Sequence, residues 1–223
     1  MNLLEKFNIV PKDKHLYDVA FTHGSYGTKH GLDYTYERLE FLGDSVLNMI
    51  VSEYLYKQYP DYEEGKLTKL RANYVCQVAL IYYSHELGLD KHIKIYGDDS
   101  KITENEVLSI TADVFESFLG AIFLDQGIEF AKNYISKIIF PYIDAKKVFF
   151  FDYKSVIKEY GDAQEVDIEY KILDECGVPH NKTFIISILI DGKEMGVGKG
   201  KNKKEAEQAA SKQAMKKLKI QKY

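Results

Sequence analysis

The chain has 223 residues, 45% of them hydrophobic and 13% aromatic, and carries 30 basic against 34 acidic side chains for a formal net charge of -4. That is enough apolar material for one large folded domain or two ordinary ones, and it excludes a disordered polyelectrolyte. The N-terminus, Met1-Asn2-Leu3-Leu4-Glu5-Lys6, lacks the charged lead and long apolar core of a secretion signal, and no run reads as long enough to span a membrane. Cys76 and Cys176 stand alone, with neither a CxxC motif nor a disulfide framework. These features lead us to expect a cytoplasmic protein with two buried free thiols and no membrane partner.

From the start to about residue 142 apolar residues recur at intervals of three and four, which predicts a helical domain with breaks near residues 24–31, 60–65, 88–90 and 97–100. Its first long helix contains Glu37-Arg38-Leu39-Glu40-Phe41-Leu42-Gly43-Asp44-Ser45-Val46-Leu47. At about 100° per residue, Glu37, Glu40 and Asp44 fall within an arc of ~60°, opposite Leu39, Leu42, Val46 and Ile50. A solvated amphipathic surface is one explanation. A second acidic pair points elsewhere: Asp113 and Glu116 lie at i, i+3 in the otherwise apolar stretch from Ile110 to Ile122. Unpaired charges there are costly, and something must neutralise them. Four or five oxygen donors on two helices, with no Lys or Arg inside the second stretch, suit a hard divalent cation such as magnesium better than zinc. Gly43 and Gly120 each cost ~1 kcal/mol inside a helix relative to alanine. Gly120, one turn beyond Glu116, would let two acidic helices approach closely.

The texture changes after a junction containing Lys146, Lys147 and Val148-Phe149-Phe150-Phe151, which is too apolar for a flexible linker. We divide the chain into a domain at residues 1–145, a junction at 146–152 and a second domain at 153–223. Residues 1–152 carry 16 basic and 23 acidic side chains, whereas the remainder carries 14 lysines against 11 acids, so the basic charge is local. A short helix at 153–160 is predicted first, then strands near 168–173, 183–190 and 194–198, with Asp191-Gly192 as a hairpin turn, and finally a helix at 203–218. Asn202 followed by Glu205 fits a capping box, which places Lys203 and Lys204 in the first turn of the last helix. Lysines are unfavourable there unless phosphates approach the exposed N–H groups, with Lys199 or Lys201 joining them.

The run from Glu37 to Leu47, followed by Ala112-Asp113-Val114-Phe115-Glu116 and Gly120-Ala121-Ile122-Phe123-Leu124-Asp125, resembles the signature of the ribonuclease III family of double-stranded-RNA endonucleases. Phe21-Thr22-His23 and Glu64-Gly65-Lys66-Leu67-Thr68-Lys69-Leu70-Arg71-Ala72 add to the match, and the α-β-β-β-α order of the second part resembles a double-stranded-RNA-binding domain. The resemblance implies an all-α endonuclease domain followed by a small α+β binding domain. It implies a homodimer that hydrolyses duplex RNA with magnesium, or manganese in its place, and needs no nucleotide cofactor. The ends left would be 5′-phosphate and 3′-hydroxyl with short 3′ overhangs, and the substrates precursor ribosomal RNA and structured messages.

Residue by residue, Glu40, Asp113 and Glu116 are the leading metal ligands, Asp44 binds metal or orients its water, and Glu37 is a supporting acid. Asp44 and Glu116 are the catalytic pair. Phe41 lies ~40° from Glu37 on the acidic side; it either packs within the subunit or, as in the family, inserts into a partner. His23 reads as structural, and Gly24 replaces a basic residue common in the family. Arg71 and Lys69 meet either RNA phosphate or acids of their own domain. In the second domain Lys154, Lys158, His180, Lys199, Lys201, Lys203 and Lys204 are the candidate RNA contacts, reading shape and 2′-hydroxyls across minor grooves. Gly161 would shorten the first helix there. A protein of this fold that holds duplex RNA without cutting is the alternative, although such a protein has no need of all four acids. A metal-dependent nucleotide hydrolase would leave the basic domain unexplained.

Overall fold

The computed structural model describes residues 3–97, 103–177 and 182–220, and the chain separates into two compact units that divide between Phe150 and Phe151. The first unit is helical: α1 (Leu3–Lys6), α2 (Lys14–Ala20), α3 (Gly24–His30), α4 (Glu37–Gln58), α5 (Glu64–Val75), α6 (Gln77–Leu87), a 3-10 turn (Asp90–His92), α7 (Glu104–Gln126), α8 (Ile128–Ile138) and α9 (Phe140–Asp144). Helix α7 is the axis of the core and packs against α4, α6, α2 and α8. Its Val114, Phe115, Phe118, Leu119, Ala121 and Ile122 are fully buried, which explains why its sequence is apolar almost all round. A reciprocal capping box starts it: Thr103 Oγ1 accepts from Glu106 N–H at 3.2 Å and Glu106 Oε2 accepts from Thr103 N–H at 2.7 Å. This 23-residue helix is long and apolar enough to cross a membrane, contrary to the expectation that no run reaches that length. Its burial inside the fold marks it as a core helix. At its far end the buried Asp125 accepts from Lys12 N–H, Asp13 N–H and the Tyr17 hydroxyl, tying the N-terminal segment to the core.

Residues 24–31 are not a break but α3, capped by the His23 side chain, which accepts from Ser25 N–H, and closed by Gly31 at φ 63°. The thiols are not both buried: Cys176 is exposed and Cys76 half-buried.

The second unit is α10 (Tyr153–Gln164), β1 (Ile168–Cys176), β2 (Thr183–Ile190), β3 (Lys193–Gly200) and α11 (Lys203–Lys217), with an antiparallel sheet in the order β1-β2-β3. Asp191 and Gly192, both at positive φ, form the two-residue turn between β2 and β3. Helix α10 runs on to Gln164 instead of stopping near residue 160. Gly161 lies inside the helix, buried, where a Cβ would stand 2.4 Å from Ile168 Cδ1, so it packs against the start of β1 and does not end the helix.

Gly196, Gly198 and Gly200 alternate along β3 on the face that meets α11, where Ala206, Ala210 and Ala214 are fully buried. A Cβ at Gly198 would lie 2.0 Å from the Ala206 carbonyl oxygen and 2.2 Å from Ala210 N, so helix and strand touch backbone to backbone. Gly198→Ala is therefore expected to destabilise this unit by about 3 kcal/mol, overpacking at a site with no rotamer to relieve it. Chemical denaturation followed on the second unit checks it, and an unchanged midpoint would show that the strand can move away at little expense.

Candidate active site

The crossing of α4 and α7 brings the acids together. A Cβ at Gly43 would lie 1.8 Å from the Glu116 carbonyl oxygen, and one at Gly120 would lie 2.3 Å from the Leu39 carbonyl oxygen and 3.3 Å from Gly43 N. The two helices meet at their glycines with no side chain between them. Glu40 and Asp44 flank Gly43 on α4, while Glu116 and Asp113 lie one and two turns before Gly120 on α7, so the closest approach gathers all four.

Their electrostatics report that proximity. Burial pushes the Glu116 carboxyl up from its ordinary 4.5 to about 8, and the charges of Asp44, Glu40 and Asp113 push in the same direction. Glu40 is raised by burial and then by Asp113, Glu37 and Asp44. Asp113 is raised by burial against the opposing Tyr36 hydrogen bond and His23. The partners of these acids are neutral: the Tyr36 hydroxyl donates to Asp113 Oδ2 at 3.0 Å, and Asn48 Nδ2 donates to Asp44 Oδ1 at 2.6 Å. The ion pairs described in this unit lie elsewhere, at Glu53, Asp18 and Asp90.

Glu40, Asp113 and Glu116, each raised by burial and by neighbouring acids, stand with Asp44 beside them and with no lysine or arginine ion pair to any of the four among the described residues, a donor set suited to a hard divalent cation. Among the described residues no three acidic, imidazole or thiol groups are already drawn in around one point at ligating distance. Here the acids are coupled by charge.

Glu37 stands apart from the four. Its carboxylate accepts from Thr35 Oγ1, and a Cβ on Gly24 would lie 3.1 Å from its Oε1, so it turns toward the start of α3. Phe41, next to Glu40, is 78% exposed and is not packed within its own subunit. His23 caps α3 and lies against the Tyr36 ring at 5.7 Å, and Arg71 Nη1 donates to Ser52 Oγ at 2.8 Å. Tyr36 and Asn48, the neutral partners of two of the acids, escaped the sequence reading. Tyr36 directly precedes the acidic helix, and Asn48 follows Asp44 by one turn; that spacing was the available signal.

In the second unit Lys201, Lys203 and Lys204 are exposed around the start of α11. Asn202 Oδ1 accepts from Glu205 N–H at 2.9 Å, while the Glu205 carboxylate takes the Asn202 amide and Lys201 N–H, a variant of the expected box. Lys199 is exposed but projects from the opposite face of β3 to Gly198 and Gly200, away from α11. Lys158 is exposed on α10. Lys154 is committed inside the unit: its Nζ pairs with Glu207 Oε2 at 2.5 Å and lies 5.0 Å from the Tyr170 ring centre, so as placed it braces α10 against α11 and β1. His180 lies outside the described residues.

The raised Glu116 pKa has a measurable consequence. The folded state holds this proton up to about pH 8 and the unfolded chain only to 4.5, so the associated stability is complete below 4.5 and is lost as pH rises through about 8. Melts in a chelating buffer should therefore show a falling midpoint from pH 6 to 8.5. Added magnesium should restore more at the higher pH, and Glu116→Gln should remove much of the slope. A slope unchanged in that variant would assign it to other groups.

Residues 13–143 match the Ribonuclease-III-like family and residues 153–218 the Double-stranded RNA binding motif. The chain is 41% identical over 221 residues to Ribonuclease 3 of Lactiplantibacillus plantarum, covering 97% of this chain and 95% of that one. It is 43% identical over 221 residues to Ribonuclease 3 of Anoxybacillus flavithermus, covering 96% and 92%. A structure of the nuclease domain of ribonuclease III from Campylobacter jejuni, described for flexibility in a region involved in dimer formation, matches with TM-score 0.56 and 36% identity over 61% of this chain and 93% of that one. The chain belongs to the ribonuclease III family and joins its nuclease unit to a double-stranded-RNA-binding domain, the constitution of an endoribonuclease acting on double-stranded RNA.

Proposed function

We propose that the chain is a magnesium-dependent endoribonuclease, able to use manganese, that works as a cytoplasmic homodimer on precursor ribosomal RNA and structured messages. Its products would carry 5′-phosphate and 3′-hydroxyl ends with short 3′ overhangs. The observation that carries this reading is the Gly43–Gly120 crossing, where the two acid-bearing helices touch and the Glu116 carboxyl is raised to about 8 by burial and then by Asp44, Glu40 and Asp113. Glu40, Asp113 and Glu116 would hold the cation. When bound, magnesium supplies an acidified water and draws charge from the phosphate oxygens. Asp44, exposed and fixed by Asn48, is the acid placed to orient the attacking water. Tyr36 holds Asp113 in its rotamer, and Glu37 adds negative potential that raises Glu40 and Asp113. Lys201, Lys203 and Lys204 would hold backbone phosphates of the duplex, with Lys158 on the adjoining minor groove.

The test is incubation of the purified protein with a long RNA duplex in magnesium or calcium, beside single-stranded RNA and DNA controls. Cleavage of the duplex alone, with magnesium, is expected. Binding without cutting under every divalent ion would sink the proposal in favour of a non-cleaving duplex binder.

Phe41, 78% exposed beside Glu40, is the residue this reading assigns to the contact with the partner subunit. Phe41→Glu should weaken the dimer by about 2 kcal/mol or more, roughly thirtyfold in Kd, as for a buried aromatic anchor. Sedimentation equilibrium reads this directly. A variant that dimerises as tightly as the parent would place the interface elsewhere.

A further inference from the structure

The end of the nuclease unit is fastened down by a lysine inside an aromatic cage. Lys147 Nζ lies 3.5 Å from the centre of the Tyr82 ring and 4.7 Å from those of Tyr142 and Phe149. Lys147 is half-buried, and the negative faces of the three rings attract its charge. The backbone of the same segment is held by Asn73 at the end of α5. Its Nδ2 donates to the Lys147 carbonyl at 2.9 Å, and its Oδ1 accepts from Phe149 N–H at 2.8 Å and Phe150 N–H at 3.0 Å. Lys146, at φ 52°, turns the chain back so that Lys147 N–H can bond the Tyr142 carbonyl at 2.9 Å.

On the other side of the boundary anchoring resumes at once. Phe151 packs in the core of the second unit with its ring 4.7 Å from that of Tyr153, and Asp152 caps α10 and accepts from Gln208 at 2.7 Å. Residues 147–150 are thus anchored to the first unit, and residues 151 and 152 to the second.

We propose that Lys147 and Asn73 are positioning residues: they strap residues 147–150 to the nuclease unit and make the Phe150–Phe151 peptide a single pivot, which limits where along a duplex the RNA-binding unit can sit from the cut. Releasing the strap would free residues 146–150, which span at most about 17 Å when fully extended at ~3.3–3.6 Å per residue. That is a large share of the ~16 base pairs such a binding domain covers. The strap itself stands on contacts within one unit. Its effect on cutting rests on the reading that both units engage one duplex.

The test uses the full chain with Lys147→Gln, Lys147→Arg and Asn73→Ala, the lysine variants guarding against the chance that Asn73→Ala disturbs α5. Chymotrypsin nicking at Phe149 to Phe151, read by mass spectrometry, should accelerate at least about tenfold in Lys147→Gln and Asn73→Ala, from the loss of a cation–π contact or two to three hydrogen bonds. Lys147→Arg keeps a cation in the cage and should stay near the parent. On a long duplex with one preferred site, the two released variants should spread their cuts over neighbouring positions while Lys147→Arg keeps the parent pattern. Unchanged nicking in both released variants would overturn the strap, and faster nicking with an unchanged cut pattern would overturn its positioning role. A parent chain that binds duplex without cutting would overturn the catalytic reading alone, and nicking would still decide the strap.

Discussion

Glu116→Gln is expected to lower the rate of duplex cleavage by about a thousandfold or more, because it removes one of the charges proposed to hold the cation, a contribution of several kcal/mol to transition-state stabilisation. The substitution is nearly isosteric and deletes the carboxylate that burial and three neighbouring acids already resist ionising. It should therefore leave the metal-free fold intact and raise its melting point above pH 7. Duplex affinity measured in calcium should stay within about twofold of the parent, since the lysines proposed to meet phosphate belong to the other unit. Gel-shift titration beside single-turnover cleavage separates the two effects. Joint loss of binding and cutting would show that the acids help hold the RNA and would refute the division of labour between the units.

Much of this site is legible in spacing alone. Glu37, Glu40 and Asp44 on one stripe, with Asp113 and Glu116 inside an apolar helix, show a charge problem that only a partner solves, and the glycine one turn past Glu116 suggests where the helices touch. The structure adds that Gly43 is the tighter of the two glycines and that Glu37 faces α3, because what a carboxylate meets across a helix crossing is set by tertiary packing and leaves no period in the chain. Helix α3 was hidden for a different reason: its glycines argue for a turn, and only the His23 cap and the following αL Gly31 tip the balance.

Lys154 illustrates the limit for charges. In sequence it is one more lysine in a basic domain, and only the arrangement of α10 against α11 shows that Glu207 takes it. The strap at Lys147 was half visible, since three consecutive phenylalanines predict packing. Which side they pack on depends on Tyr82 and Tyr142, some sixty residues apart and paired by the fold.

Gly43→Ala separates two opposing effects at the centre of the site. Helix propensity alone favours alanine by ~1 kcal/mol, so an exposed or loosely packed Gly43 would give a more stable protein. The added methyl, however, would stand 1.8 Å from the Glu116 carbonyl oxygen, 2.5 Å from its carbon and 3.1 Å from its Cα. All three are backbone atoms of a buried helix, with no rotamer to turn aside. Relief requires α4 and α7 to part over their contact, which opens the core around Leu47, Phe115 and Leu119. We expect a net loss of at least about 3 kcal/mol, with the sign opposite to propensity.

Because the same parting separates Glu40 and Asp44 from Glu116, the Gly43→Ala variant should also bind magnesium more weakly even at temperatures where it remains folded. Calorimetry on the full chain should show the nuclease transition falling while the RNA-binding unit, built on its own core around Ile157, Ile188 and Ala210, melts as before. A nuclease transition at or above that of the parent would mean that the helices can separate freely, and the close crossing would then not be what assembles the acids.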